Sequence, residues 1–487
     1  MVPAFLALTV ALVVQDQAPL RAASHDNAPR QTALTEGDWL EVRGSRQGYV
    51  EVYDHRRERP GYVRPAAVRT YVLDASATPK LGALVEFLKD APGQESLGIG
   101  YTALYLRVAP LPAVGPEVFD ALGTMADRLA RRASARVARA GDATIAAQLE
   151  TAESYGVHFV HFEAGGHTEV CYDGEAFRSV LAMGGDGPMR VRAALGTTDP
   201  RCVDPAAGVA AALALTKTQA GILEDVDPVK LGPDVPADQR ARLSLRRSVV
   251  NAELAYYAAR SGDPELARSA AETAKRALLR ADRASLADED RLGYDEAALH
   301  VAAVRWAGEP LPAAPEGAAH VLDVELAAGD PGQTCIRVKR RGEKAAAFEH
   351  CTYAVVWPAS VRIAPHDGAV AMVTQPLVGW SELLLLHASP AGWVADTLTP
   401  ATIDPELGYV ELAGFTPDGA HLLAVREARA SGPLGSPNTL APWVQRTFQL
   451  LAVQDLHVEK QAATLVSFPA FKRWQTADWQ RGTLALR

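Results

Sequence analysis

At 487 residues the chain is longer than one ordinary hydrophobic core can organise, and its length implies about three domains. Hydrophobic residues at 48% and charged residues at 22% sit near the globular average, which excludes a wholly disordered chain. The net charge is -9 and the basic residues are scattered rather than gathered into a stripe, so the footprint of a nucleic-acid binder is absent.

The stretch from Val2 to Val14 is apolar throughout, has the length of a secretory hydrophobic region and is too short to span a bilayer. Residues 1–16 therefore read as a signal peptide or its remnant, with a buried N-terminal strand as the other reading. No later segment reaches 18 consecutive apolar residues, which excludes a polytopic membrane protein and leaves no integral membrane segment after signal removal.

From Gln17 onward short pieces alternate apolar and polar residues between Gly, Ser and charged turns, notably Trp39 to Arg43, Gly48 to Tyr53 and Gly61 to Arg64. Several short strands with tight turns imply a small closed β-barrel over 17–72. Four stretches carry a family pattern: LRAAS, EGDWLEVRG at Glu36 to Gly44, GYVEVYD at Gly48 to Asp54 and GYVRPAAV at Gly61 to Val68. The segment resembles the bacterial SH3 family, with Ser24 where that pattern commonly has Pro. The resemblance implies an attachment or ligand-binding module of the cell envelope, for wall peptide or another envelope protein. Trp39, Tyr49, Tyr53 and Tyr62 are then the candidates to stack on an extended ligand. The charged run His55 to Arg59 reads as a solvated turn.

Beyond Tyr71 the pattern turns Ala-rich and helical. Leu81, Leu84, Val85 and Leu88 follow helical spacing after Pro79, so a helix is expected over 79–89, with others near 116–139, 143–153 and 209–223. Between them, His158, His161, Glu163, His167, Glu169 and Cys171 crowd into one stretch and could supply ligands or acid–base groups. Strand alternation puts His161 and Glu163 on one face and His158 on the other, and Gly165-Gly166 reads as a hairpin turn near 157–172. Residues 238–307 read as three antiparallel helices. Within them Asn251 to Leu278, with its Gly262-Asp-Pro264 turn, is similar to one tetratricopeptide-type hairpin, and one such unit is too few for a repeat array.

Pro310 to Glu316 reads as a Pro/Ala linker, with the boundary placed at 309–316. Over 317–487 the chain becomes strand-like, and seven of its eight Trp lie from Trp306 onward. Asp367-Gly368 and Asp418-Gly419 each precede an apolar strand and lie 51 residues apart, within the range of propeller blades. The "FTPDG, then apolar strand" form resembles periplasmic propellers related to the TolB type; an irregular β-sandwich is the other expectation.

Four cysteines fall as two local pairs, Cys171 with Cys202 and Cys335 with Cys351. An even count in a chain read as exported favours two disulfides, each stabilising by about 3 kcal/mol. No CxxC, HExxH, GxSxG, GxxxxGK[ST] or strand-linked GxGxxG occurs, so no metal, cofactor or catalytic residue is assigned. The expected whole is a multidomain α+β protein: an SH3-like barrel, a helical domain over 79–308 containing a β-hairpin, and an antiparallel β region that is propeller-like or a sandwich. The expected function is binding or scaffolding in the periplasm or outside the cell. The alternative is an envelope hydrolase using His161, Glu163 and His167.

Overall fold

The computed structural model describes residues 8–135, 142–164, 167–204, 206–311, 320–401, 407–430, 443–477 and 479–480. Residues 1–7, the Gly165-Gly166 turn and the linker from 312 lie outside the described residues. The chain forms two compact units: Met1–Ala206 with Lys230–Val235, and Ala207–Val229 with Pro236–Arg487. The helical stretch expected as one domain over 79–308 is thus divided between them.

The first unit opens with seven strands: β1 (Thr9–Val13), β2 (Ala18–Arg21), β3 (Arg30–Leu34), β4 (Trp39–Arg46), β5 (Tyr49–Asp54), β6 (Arg59–Val63) and β7 (Val68–Val72). They hydrogen-bond in the order β3-β2-β6-β5-β4-β1-β7. The strands expected from the alternation are present, but the barrel is not closed: β1 inserts between β4 and β7, and the path ends on two edges, β3 and β7. For the apolar N-terminal run the sequence left an export signal and a buried strand open; residues 9–13 are a strand. Because strand side chains alternate, Ala11 and Val13 join Leu20, Leu34, Leu40, Val52 and Val63 on the inner face. Val10 and Leu12 point the other way, into a helical core.

That core is built by α1 (Thr78–Lys89), α2 (Glu95–Val108), α3 (Pro116–Ala133) and α4 (Asp142–Glu153). A hairpin of β8 (Phe159–Ala164) and β9 (His167–Tyr172) follows, then α5 (Glu175–Met183) and α6 (Gly187–Thr197). The Cys171–Cys202 disulfide ties β9 to the segment after α6. Helix α2 was not legible beforehand: it is buried almost all round from Glu95 to Thr102, so it lacks an amphipathic period, and it carries Gly98 and Gly100.

Sheet and helices meet at the turn between β3 and β4. Gly37 adopts φ +94°, and a Cβ there would lie 2.4 Å from the Ser96 carbonyl oxygen, so only glycine fits. Ser96 Oγ donates to the Glu36 carbonyl at 2.6 Å and Tyr155 OH to the Gly37 carbonyl at 2.5 Å. Asp38, 3% exposed, accepts from Thr151 Oγ1 at 3.1 Å and from Arg57 at 3.0 Å, and Arg57 also reaches Asp54 at 2.8 Å. Arg57, expected to be solvated, is therefore held in a largely buried polar junction, while Arg56 stays exposed and reaches Asp38 at 3.3 Å.

The second unit begins with α7 (Val209–Asp225), α8 (Ala237–Arg260), α9 (Pro264–Arg280) and α10 (Asp288–Val304). The expected hairpin is α8 and α9: Asp263 caps α9 by accepting from Leu266 N, and Pro264 occupies its first turn. Three strands then form a separate sheet, β10 (Leu322–Ala328), β11 (Thr334–Arg340) and β12 (Ala346–Thr352), in which Cys335 lies directly opposite Cys351 and is disulfide-bonded to it.

A nine-stranded sheet follows: β13 (Val355–Val356), β14 (Arg362–Ile363), β15 (Ala369–Leu377), β16 (Trp380–Ser389), β17 (Gly392–Leu398), β18 (Gly408–Phe415), β19 (His421–Ala430), β20 (Trp443–Ala452) and β21 (Val458–Ala462), with α11 (Pro469–Trp474) after it. Its pairs are antiparallel except β16 with β18. Leu322, Ile336 and Val338 of the small sheet share a core with Val370, Met372, Leu384 and Leu386 of the large one, while α11 and Trp479 cover Leu423, Val425 and Phe448. Described strands thus join two sheets packed together rather than separate blades. The two Asp-Gly turns do occupy like places, between β14 and β15 and between β18 and β19. Their backbones differ: His366 and Asp367 carry positive φ in the first turn, and Gly419 carries it in the second.

Candidate binding surfaces

The register of β4, β5 and β6 decides which predicted aromatics are available. Val52 opposes Val42 and Gly61 and faces the inner core; Tyr53 opposes Glu41 and Pro60, and Tyr62 opposes Glu51, all on the outer face. Tyr53 and Tyr62 are half-buried there, with Pro60 exposed between them. The Arg43 guanidinium lies 4.1 Å from the Tyr53 ring centroid, and the His55 ring meets it edge-on at 4.8 Å. Glu41 accepts from His55 Nε2 at 2.6 Å and lies 3.4 Å from Arg43. The His55 hydrogen bond, with help from Arg43, holds the Glu41 carboxyl below the usual carboxylate range.

The other two aromatics are used internally. Tyr49 is 8% exposed, its hydroxyl bonded to Asp26, which also accepts from Arg64 at 2.9 Å. Trp39 packs on Tyr155 at 5.3 Å and donates to the Gly100 carbonyl at 3.3 Å, because its side of β4 faces the helices. Of the four aromatics, Tyr53 and Tyr62 are therefore the two left half-buried on the outer face, beside the charged group of Arg43, Glu41 and His55.

The histidine hairpin does not assemble a site. His161 opposes Val170 and Glu163 opposes Thr168, whereas His167 opposes Ala164, so His167 stands on the face opposite His161 and Glu163. His158, His161 and Glu163 are exposed, and Glu163 accepts from Thr168 Oγ1 at 2.8 Å. His167 pairs with Glu169 at 3.1 Å. Cys335 and Cys351 lie near the Glu349 carboxylate, but sulfurs joined in a disulfide present no thiolate to a metal.

Two features were not legible in the sequence. Glu36, in the buried turn, is pushed up to about 7 by burial, with the negative charges of Asp16 and Glu95 adding to it. In the second unit, Tyr409, Glu427 and Arg446 line a cleft of about 370 Å³ beside α10. Both are made by segments distant in sequence, which no local spacing reports. No protein-family model, curated protein or solved structure matches this chain.

Proposed function

We propose that this chain is an exported, non-enzymatic binding or scaffold protein of the cell envelope, and that its N-terminal sheet acts as a bacterial-SH3-type attachment module for wall peptide. The observation that carries this reading is the shared outer face of Tyr53 and Tyr62, turned away from both cores by the β5–β6 register. Two disulfides support an oxidising compartment. Among the described residues no helix is long and apolar enough to cross a membrane. An extended peptide would lie along the Tyr53-Pro60-Tyr62 strip, its apolar side chains on the rings and its charges against Arg43, Glu41 and Glu51.

The test is cosedimentation of the full chain with purified wall sacculi, competed by free stem peptide. Binding that Tyr62→Ala lowers, and that stem peptide displaces, supports the proposal. No binding, or binding indifferent to Tyr62→Ala, overturns it; retention by envelope protein but not by sacculi moves the partner to the protein class.

A further inference from the structure

Strand β13 ends the nine-stranded sheet on an edge that opens into a cleft. The Trp357 N–H donates to the Val373 carbonyl at 3.1 Å, and hydrogen-bonded and non-hydrogen-bonded positions alternate along an antiparallel pair. Val356, one residue earlier and opposite Thr374, therefore sits at a non-hydrogen-bonded position, with its N–H and C=O turned away from β15. Among the described residues neither group has a partner. Val356 is nonetheless only 8% exposed, and backbone groups as recessed as this are nearly always paired.

A cleft of about 330 Å³ borders this edge. Every residue from Val355 to Ala359 lines it. Successive strand residues point to opposite faces, so an unbroken run identifies the edge of the strand, not a face, as the wall. The other walls are the turn of the α8–α9 hairpin, at Ala259 and Pro264, and the segment after α10, where Leu311 is 70% exposed. The lining is apolar apart from Thr334 and Glu309, and Glu309 is already held by Arg305 at 3.1 Å, so a charged side chain would enter without a partner. An extended peptide meets the edge and the cleft together. One of its residues gives its C=O to the Val356 N–H and its N–H to the Val356 C=O, as an added strand does, and an uncharged apolar side chain fills the space beside them. The volume lies at the small end of the range of about 300–1,000 Å³ usual for ligand pockets, which suits a single such side chain. We infer that the β13 edge is a strand-addition site for an extended, uncharged apolar peptide segment of a partner protein.

The inference stands apart from the wall-peptide proposal, which concerns the other unit. It is tested by fluorescence anisotropy of the full chain with a labelled Ser-Val-Leu-Val-Ser amide, beside the same peptide N-methylated at its three central residues and beside Ser-Val-Asp-Val-Ser. Saturable binding of the first peptide below about 1 mM is expected. Val356→Pro removes the outward N–H and keeps the pairing with β15, because an edge strand accepts Pro where its N–H faces away from the sheet. Ala259→Leu keeps a strong helix former and narrows the cleft. Each variant, the N-methylation and the Asp substitution are expected to weaken binding about tenfold or more, the variants at unchanged melting temperature, while Tyr62→Ala leaves binding as it is. If Val356→Pro melts early, Ala259→Leu and the N-methylated peptide decide. Absence of binding, equal binding of the N-methylated or the Asp peptide, native affinity in either folded variant, or loss of binding on Tyr62→Ala overturns the inference.

Discussion

The N-terminal sheet and the nine-stranded sheet spend their two faces differently. The first buries its inner face on itself and lends only the β1–β4 end of its outer face to helices, which leaves Tyr53 and Tyr62 open. The second packs against the small sheet and helices in some places and against α11 in others, and its central strands bury polar residues such as Gln375, Glu411 and Glu427. An open face can be read by a long ligand sliding along a strand; a covered sheet admits only what a gap in its cover allows. The same contrast governs the charges. Arg305 and Glu411, 5% and 1% exposed, are bonded at 2.6 Å with Trp479 Nε1 donating to Glu411 at 2.8 Å, whereas the Arg43–Glu41–His55 group sits at the surface.

The contrast breaks first at Glu411. Glu411→Ala leaves Arg305 buried without that carboxylate, and is expected to cost about 3–5 kcal/mol in urea unfolding; a loss near the surface-pair range would mean the sheet is wetter than described. Next is β1. Leu12 has no exposed surface and opposes Trp39, so Leu12→Ala is expected to cost about 3 kcal/mol. The same reasoning predicts that a chain begun at residue 17 loses cooperative unfolding, because β4 and β7 then have no strand between them. If that shortened chain melts as sharply as the full one, the strand role of residues 9–13 fails and the sheet must close another way.

Glu36 gives a smaller, pH-dependent effect. Its folded value of about 7 lies above its ordinary 4.5, so between those values the folded protein keeps a proton that the unfolded chain has released. Stability from this group is full below pH 4.5, falls as pH rises to 7, and is at its lowest above 7. Glu36→Gln should therefore equal the native protein in acid and gain about 1–2 kcal/mol at pH 8, allowing for partial solvent screening. Paired urea midpoints at pH 4.5 and 8 check it; a gain independent of pH would show that Glu36 is ionised in the fold.

Legibility in the sequence followed the range over which each feature is encoded. The strand alternation of β4 to β6, the Asp263-Pro264 start of α9 and both disulfide pairs rest on neighbours, and each is present as expected. Alternation also gave the correct faces for His161 and Glu163, and extending it past the hairpin turn separates His167 from them. What failed needed partners far along the chain. The sequence could not show that Trp39 is covered by Gly100 of α2 and by Tyr155 from the turn after α4, nor that a strand from the apolar leader-like run lies between β4 and β7 in an open sheet. The Asp-Gly echo marked two real hairpins, yet the sheet that joins them is set by the β15–β16 and β16–β18 pairings, which the turns do not specify.

The smallest effect on stability is expected where the effect on binding is largest. Tyr62 is half-buried on the outer face and makes no side-chain hydrogen bond among the described contacts that would be left unmatched, so Tyr62→Ala should change stability by no more than about 0.5 kcal/mol. Tyr49→Ala is its counterpart on the same strand face as Tyr53: it removes a buried ring and the Asp26 bond, and should cost about 3 kcal/mol or more. Measured together by thermal melts and sacculus cosedimentation, the pair separates the ring that builds the sheet from the ring that faces outward. If Tyr62→Ala destabilises as much as Tyr49→Ala, the outer face is a buried one, and the N-terminal sheet is covered on both sides.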